Sequence, residues 1–282
     1  MLKYYRSGVE LESENTRKTG RGLRKFTMNE VVSIVLVLFS IYLLIAAYLY
    51  IYQRRLIYHP VAVDPAFSAA EISFDNNGTR LHGWILNPDK PRAVIYFGGN
   101  SELITHRQAY FEDVFNDYSV YLINYRGYGK SQGNPSESGL FSDALAIYDQ
   151  LIKRHDSIIA YGRSLGSGVA VYLAASRRLD KLILLTPYDS IVEVGQKLYP
   201  LFPVRYLIKD RFDSASRAGD IEIPVLIASA ENDREIGLPH TLTLKQSFNR
   251  TRVEYQMIVG AAHNDVIDFP DYRTTIQKFI SE

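Results

Sequence analysis

The stretch SIIAYGRSLGSGVAVYLAAS, residues 157–176, changes character in its middle. Residues 158–161 form a short apolar run of strand type. After Gly162-Arg163-Ser164-Leu165-Gly166, small and apolar residues continue at helical spacing with no polar linker between. A Gly-x-Ser-x-Gly pattern at a strand-to-helix junction is a nucleophile elbow, because the sharp turn pushes the Ser164 hydroxyl out of the sheet. Gly162 and Gly166 let helix and strand approach closely, and the first amides of the new helix face any oxyanion formed at the serine. The pattern alone is common by chance, so its weight comes from the rest of the chain.

Working outward, strands and helices alternate. Strand-type runs occur at 71–74, 81–86, 93–97, 120–124, 158–161, 182–185, 225–229 and 253–259, and helical patterns at 102–116, 139–154, 166–177, 239–248 and 271–281. Asn76-Asn77-Gly78 separates the first two runs and marks an antiparallel hairpin. The alternation that follows predicts an α/β domain with a mostly parallel, eight-stranded sheet covered by helices on both faces. Residues 187–222 interrupt it, and a connection of that length is expected to carry helices of its own, as a small cap over the site or as cover for the sheet. With 282 residues, 46% of them hydrophobic, the chain is long enough for one large core.

Residues 31–52 hold no charge, and a helix of that length spans about 30 Å, the thickness of a bilayer's hydrocarbon. Tyr48, Tyr50 and Tyr52 suit a membrane interface, and Arg54-Arg55 follow, so the segment is expected to stay as an anchor. The predicted organisation is a basic tail at 1–30, a transmembrane helix at 31–53 and a folded domain at 54–282. The first 30 residues hold seven Lys/Arg against four Glu, leaving 25 basic and 27 acidic residues beyond. That asymmetry favours a cytoplasmic N-terminus and an extracytoplasmic domain, periplasmic in a bacterium. With a net charge of +1, the basic excess of a nucleic-acid binder is missing, and the lack of cysteine excludes a thiol nucleophile and thiolate metal sites.

A serine nucleophile requires a base oriented by a carboxylate. His263 directly follows the last strand, in Gly260-Ala261-Ala262-His263-Asn264-Asp265, a loop at the carboxyl end of the sheet where ligands bind in open α/β folds. Behind a nucleophile elbow the chain order is serine, acid, histidine. The acid then falls in Glu231-Asn232-Asp233, with Asp233 preferred over Glu231 for its shorter side chain and deeper place in the loop. Of the other histidines, His59 lies close to the anchor and His82 inside the hairpin. His106, His155 and His240 fall in or beside helices, where a surface role is expected. The strand at 93–97 ends in Gly98-Gly99-Asn100-Ser101. The Asn100 and Leu165 amides would form an oxyanion hole, although a Gly-Gly pair also marks an ordinary turn. Arg126-Gly127-Tyr128-Gly129-Lys130-Ser131 lacks the spacing of a phosphate loop and reads as a strand-ending turn.

These residues together resemble the membrane-anchored α/β-hydrolases related to the yeast bud-emergence (Bem) protein and to the mammalian abhydrolase-domain serine hydrolases. The similarity runs from Arg54-Arg55-Leu56-Ile57-Tyr58-His59-Pro60 through Asn124-Tyr125-Arg126-Gly127-Tyr128-Gly129 and the elbow. It continues in Asp210-Arg211-Phe212-Asp213-Ser214, Pro224, Asp233 and His263-Asn264-Asp265. The resemblance implies an α/β-hydrolase fold, ester or thioester hydrolysis, Ser164, Asp233 and His263 as the triad, and Asn100 at the oxyanion position. Gly98 stands where the family often has His, and Glu231 where a Gly often precedes the acid. The expectation is a serine hydrolase of carboxylesterase or thioesterase type, needing no metal or organic cofactor, with lipids or lipidated proteins among its possible substrates. A serine peptidase, or a non-catalytic tethered module with the same fold, are the alternatives.

Overall fold

The computed structural model describes residues 27–62 and 67–282; the basic tail up to residue 26, and Pro65 with its neighbours, lie outside them. Helix α1 runs from Met28 to Ile57. Thr27 starts it with a capping box, its hydroxyl accepting from the Glu30 amide while Glu30 accepts from the Thr27 amide. At 1.5 Å per residue, 30 residues measure about 45 Å, long and apolar enough to cross a bilayer. The predicted helix ended at residue 53, four residues short. Nothing breaks the helix before Pro60, and Arg54 and Arg55 in the last turn suit its negative end. The chain divides into compact units after Ile45, so the second unit, Ala46–Glu282, includes the last turns of α1. The predicted boundary at 53/54 falls inside that unit.

The eight strands lie in the order β1-β2-β4-β3-β5-β6-β7-β8. β1 (Ala70–Asn76) and β2 (Thr79–Leu86) form an antiparallel hairpin, closed by Asn77 and Gly78 with φ of 50° and 82°. Two successive positive φ values make the turn whose twist matches the strands. β2 also runs antiparallel to β4 (Tyr118–Ile123). All later pairs are parallel, joining β3 (Arg92–Phe97), β5 (Ser157–Arg163), β6 (Lys181–Leu185), β7 (Val225–Ala230) and β8 (Val253–Ile258). Strands buried on both faces need apolar residues at every position. Ile158 and Ala160 of β5 enter one core with Ala93 and Ile95 of β3, while Ile159 and Tyr161 enter the opposite core with Val94 and Tyr96.

Helices α2 (Gln108–Val114) and α9 (Pro270–Ser281) cover one face, and α3 (Glu137–Leu151), α4 (Leu165–Ser176) and α8 (Leu238–Ser247) the other. Residues 187–222 hold three short helices, α5 (Ile191–Leu198), α6 (Val204–Leu207) and α7 (Ser214–Ala218). Ser190 caps α5 by accepting from the Glu193 amide, and Asp213 caps α7 by accepting from that of Ser216. His155 and His240 depart from the expected surface role, for both are buried. Each has polar partners that a one-dimensional pattern does not reveal: Tyr121 and the Lys90 carbonyl for His155, and Asp189 at 2.9 Å for His240.

Candidate active site

β5 ends at Arg163, and Ser164 turns the chain into α4 with φ 48° and ψ −118°. A non-glycine residue there is strained, and the surrounding contacts over-determine it. The Ser164 amide donates to the Leu185 carbonyl of β6 at 2.9 Å, and the Ser164 carbonyl accepts from the Ser167 hydroxyl at 2.6 Å. The flanking glycines are required by close approach. A methyl at Gly162 would meet the Gly166 carbonyl, and one at Gly166 would meet the Phe97 carbonyl at the end of β3.

Three strand ends converge on the serine. His263 follows β8 and is buried, with Nε2 2.9 Å from Ser164 Oγ and Nδ1 2.8 Å from Asp233 Oδ2. Nδ1 donates to the carboxylate, which leaves Nε2 free to accept from the serine hydroxyl. Asp233 follows β7, and its other oxygen accepts from the amides of Glu235 and Ile236 at 3.0 and 2.9 Å. Burial alone would raise the Asp233 carboxyl, but His263 and those two amides outweigh it and hold the group below its ordinary range. Glu231 does not reach the histidine; it accepts from the Gly260 amide at 2.8 Å and ties the β7 loop to the β8 loop.

Asn100 follows β3. Its side-chain amide donates to the Ile57 carbonyl at 2.7 Å, and its oxygen accepts from the His59 amide and the Tyr128 hydroxyl, each at 2.9 Å. Tyr128 is the centre of the Arg126–Ser131 turn, so that segment buttresses the Asn100 loop. Among the described residues, neither the Asn100 nor the Leu165 amide donates to a protein acceptor. The Leu165 amide is one of the unsatisfied donors that begin any helix.

Two features escaped the sequence. Arg163, the variable residue of the elbow, is buried and pairs with Glu102 at 2.8 Å. Glu102 also accepts from the Gly99 amide at 2.5 Å and from the Tyr96 hydroxyl at 2.8 Å, while Arg163 donates to the Asn264 side chain at 2.5 Å. One guanidinium thereby joins the loops that carry Asn100, Ser164 and His263. Burial works against its charge, yet Glu102 and Tyr96 beside it raise its pKa above the ordinary arginine value. The second feature is Glu235, whose carboxylate lies 3.6 Å from His263 Nε2 and accepts from Asn264 at 2.8 Å. A cavity of about 320 Å³ opens at Ser164 and Leu165 and is lined mainly by apolar side chains of α1 and the cap helices. No group of three or more His, Cys, Asp or Glu able to hold a metal occurs among the described residues.

A family model described as serine aminopeptidase, S33, matches residues 89–203. An uncharacterized protein of Mycobacterium tuberculosis, Rv2307c, is 34% identical over 248 residues, covering 82% of this chain and 88% of its own. Protein bem46 of Schizosaccharomyces pombe is 29% identical over 210 residues, 70% of this chain and 69% of its own. Among solved structures, Est1E of Butyrivibrio proteoclasticus with bound ferulic acid superposes with a TM-score of 0.62 at 18% identity, over 74% of this chain and 98% of its own. The Pyrococcus furiosus esterase Pf2001 gives 0.65 at 15% identity, over 79% and 98%. At such identities the structures speak for the fold.

Proposed function

Because the chain belongs to the Bem46-like family of α/β-hydrolases, we propose that it is a membrane-anchored serine hydrolase cleaving carboxylic esters or thioesters through an acyl-enzyme on Ser164. The observation that carries this is the unbroken line from Asp233 Oδ2 to His263 Nδ1, and from His263 Nε2 to Ser164 Oγ, at 2.8 and 2.9 Å. In the proposed reaction Ser164 Oγ attacks the acyl carbonyl as His263 Nε2 takes its proton. Asp233 holds the ring and stabilises the imidazolium that forms. The oxyanion is received by the Asn100 and Leu165 amides, donors of a kind each worth about 10²–10³ in kcat. His263 then returns the proton to the leaving alcohol or thiol, and a water activated by the same nitrogen releases the acid.

Helix α1 is the proposed anchor, with the basic residues ahead of it favouring a cytoplasmic N-terminus. Exposed Leu198 and Tyr206 on the cap suit a domain working against a membrane surface.

A second reading, a peptidase of free N-termini, draws on Glu235. A carboxylate 3.6 Å from His263 Nε2 is placed to attract a substrate ammonium. Ester and thioester rank first because the cavity is otherwise lined mainly by apolar side chains. Labelling with a fluorophosphonate is expected for the wild type and not for Ser164→Ala; a folded wild type that takes no label refutes the hydrolase. Rates on matched ester, thioester and aminoacyl-anilide substrates decide the order, and turnover of the anilide alone would reverse it.

A further inference from the structure

We infer that the last turns of α1, residues 46–57, form a wall of the acyl pocket, so that the site takes a linear hydrocarbon chain lying along the anchor helix, an assignment resting on the serine-hydrolase reading. The cavity that begins at Ser164 is bounded on one side by Ala46, Leu49, Tyr50 and Ile57, and on the other by Val194 and Leu198 of the cap. The helix is thus part of the binding site as well as a means of attachment.

The wall is fastened on two sides. Gln53 is buried; its amide donates to the Leu207 carbonyl at 3.2 Å and its oxygen accepts from the Lys209 amide at 2.6 Å. Arg54 makes two hydrogen bonds to the buried Asp210 carboxylate, at 2.9 and 3.2 Å. The Lys209 ammonium lies 4.3 Å from the centre of the Tyr50 ring. Those contacts hold the helix to the cap. On the other side, Asn100 holds the Ile57 carbonyl and the His59 amide, so the loop carrying an oxyanion amide is tied to the end of the same helix.

The chemistry of the lining selects the ligand. Three of its polar side chains are already engaged, Gln53 and Asn100 as described and Tyr188 donating to the Leu165 carbonyl at 3.1 Å, and the hydroxyls of Tyr50 and Tyr199 are the few that remain beside Ser164. A polar acyl group buried there would leave hydrogen bonds to water and find few replacements, which is unfavourable. A hydrocarbon chain meets no such penalty, and each methylene it buries raises affinity by about fourfold. The remaining charge, Glu235, stands beside His263, at the reacting end of the cavity.

The test uses the full-length protein in lipid nanodiscs with p-nitrophenyl esters from acetate to dodecanoate. Wild-type kcat/KM is expected to rise with chain length, and a series that falls from acetate onward overturns the pocket whatever the variants do. Ala46→Trp and Leu49→Trp are expected to lower the dodecanoate-to-acetate ratio by about tenfold or more, whereas Leu44→Trp, in the first compact unit and absent from the lining, is expected to keep the wild-type ratio. Unchanged ratios in both wall variants, each checked by fluorophosphonate labelling for an intact site, would overturn the assignment. Presenting the dodecanoyl donor in vesicles and as monomer separates a lipid from a soluble acyl carrier as its source, and the wall variants must lower the faster of the two. Loss of all turnover and labelling in the wild type would instead refute the hydrolase. Binding of 11-(dansylamino)undecanoate by Ser164→Ala then still decides the pocket: weaker binding when Leu49→Trp is added supports it, and equal binding contradicts it.

Discussion

Asp233 and Glu231 stand two residues apart at the end of one strand, and only the first reaches His263. Asp233→Asn is therefore expected to leave the fold intact and the imidazole in the wrong tautomer, lowering kcat by about 10⁴ as in other triads. Glu231→Gln should cost far less, because it loses only a tie between loops. Steady-state kinetics on a soluble ester checks both, and the reverse order would move the acid to Glu231. The depressed Asp233 pKa also has a sign. Its unfolded value is about 3.9 and its folded value lower, so ionisation stabilises the fold above about pH 4, and that contribution disappears as pH falls through the folded value. The stability difference between wild type and Asp233→Asn, measured by denaturant titration, should shrink between pH 6 and pH 3. A difference that grows toward acid contradicts the account. Legibility at this scale was uneven. Ser164, Asp233 and His263 each follow the end of a strand and occur in a fixed chain order, so sequence sufficed to nominate them. Arg163, Glu102 and Asn264 could not be read, because their pairing depends on three loops meeting in space. Glu235 carries no local signal beyond following the acid.

At the scale of elements, the elbow shows why one pentapeptide weighs so much. β5 is an interior strand of the parallel sheet, and α4 starts directly against the end of β3. A side chain at Gly166 has no room, since the obstacle is the Phe97 backbone, which has no rotamer to change. Gly166→Val is expected to lower the melting temperature by about 5 °C or more and to remove activity with it. A variant with full stability and activity would mean that the close approach is not needed. The strands were legible because a doubly buried sheet demands uninterrupted apolar runs, and the hairpin because Asn77-Gly78 supplies two positive φ values. The cap was legible as an interruption carrying helices, without their number or bounds. Its three helices have four to eight residues, too few for a helical period to stand out.

For the whole molecule, one apolar helix belongs to two parts of the chain. Hydropathy sees one apolar run, yet the compact domain starts at Ala46, within it. Composition reports affinity for oil and does not distinguish lipid from a cap helix. Removing residues 1–52, the natural cut by hydropathy, would delete Ala46, Leu49 and Tyr50 from the pocket. Such a chain is expected to melt several degrees below one starting at Met28, both measured in detergent. Equal melting temperatures would show that the last turns of α1 contribute nothing to the domain.

The central claim, that Ser164 carries the acyl group, is tested most directly by acid-quenching the protein during ester turnover and mapping its tryptic peptides by mass spectrometry. Cleavage after Arg163 and Arg177 isolates residues 164–177. The account predicts the mass of the substrate's acyl group on that peptide, localised to Ser164 and absent from Ser164→Ala. Turnover with that peptide unmodified, or with the acyl group on another residue, would contradict it.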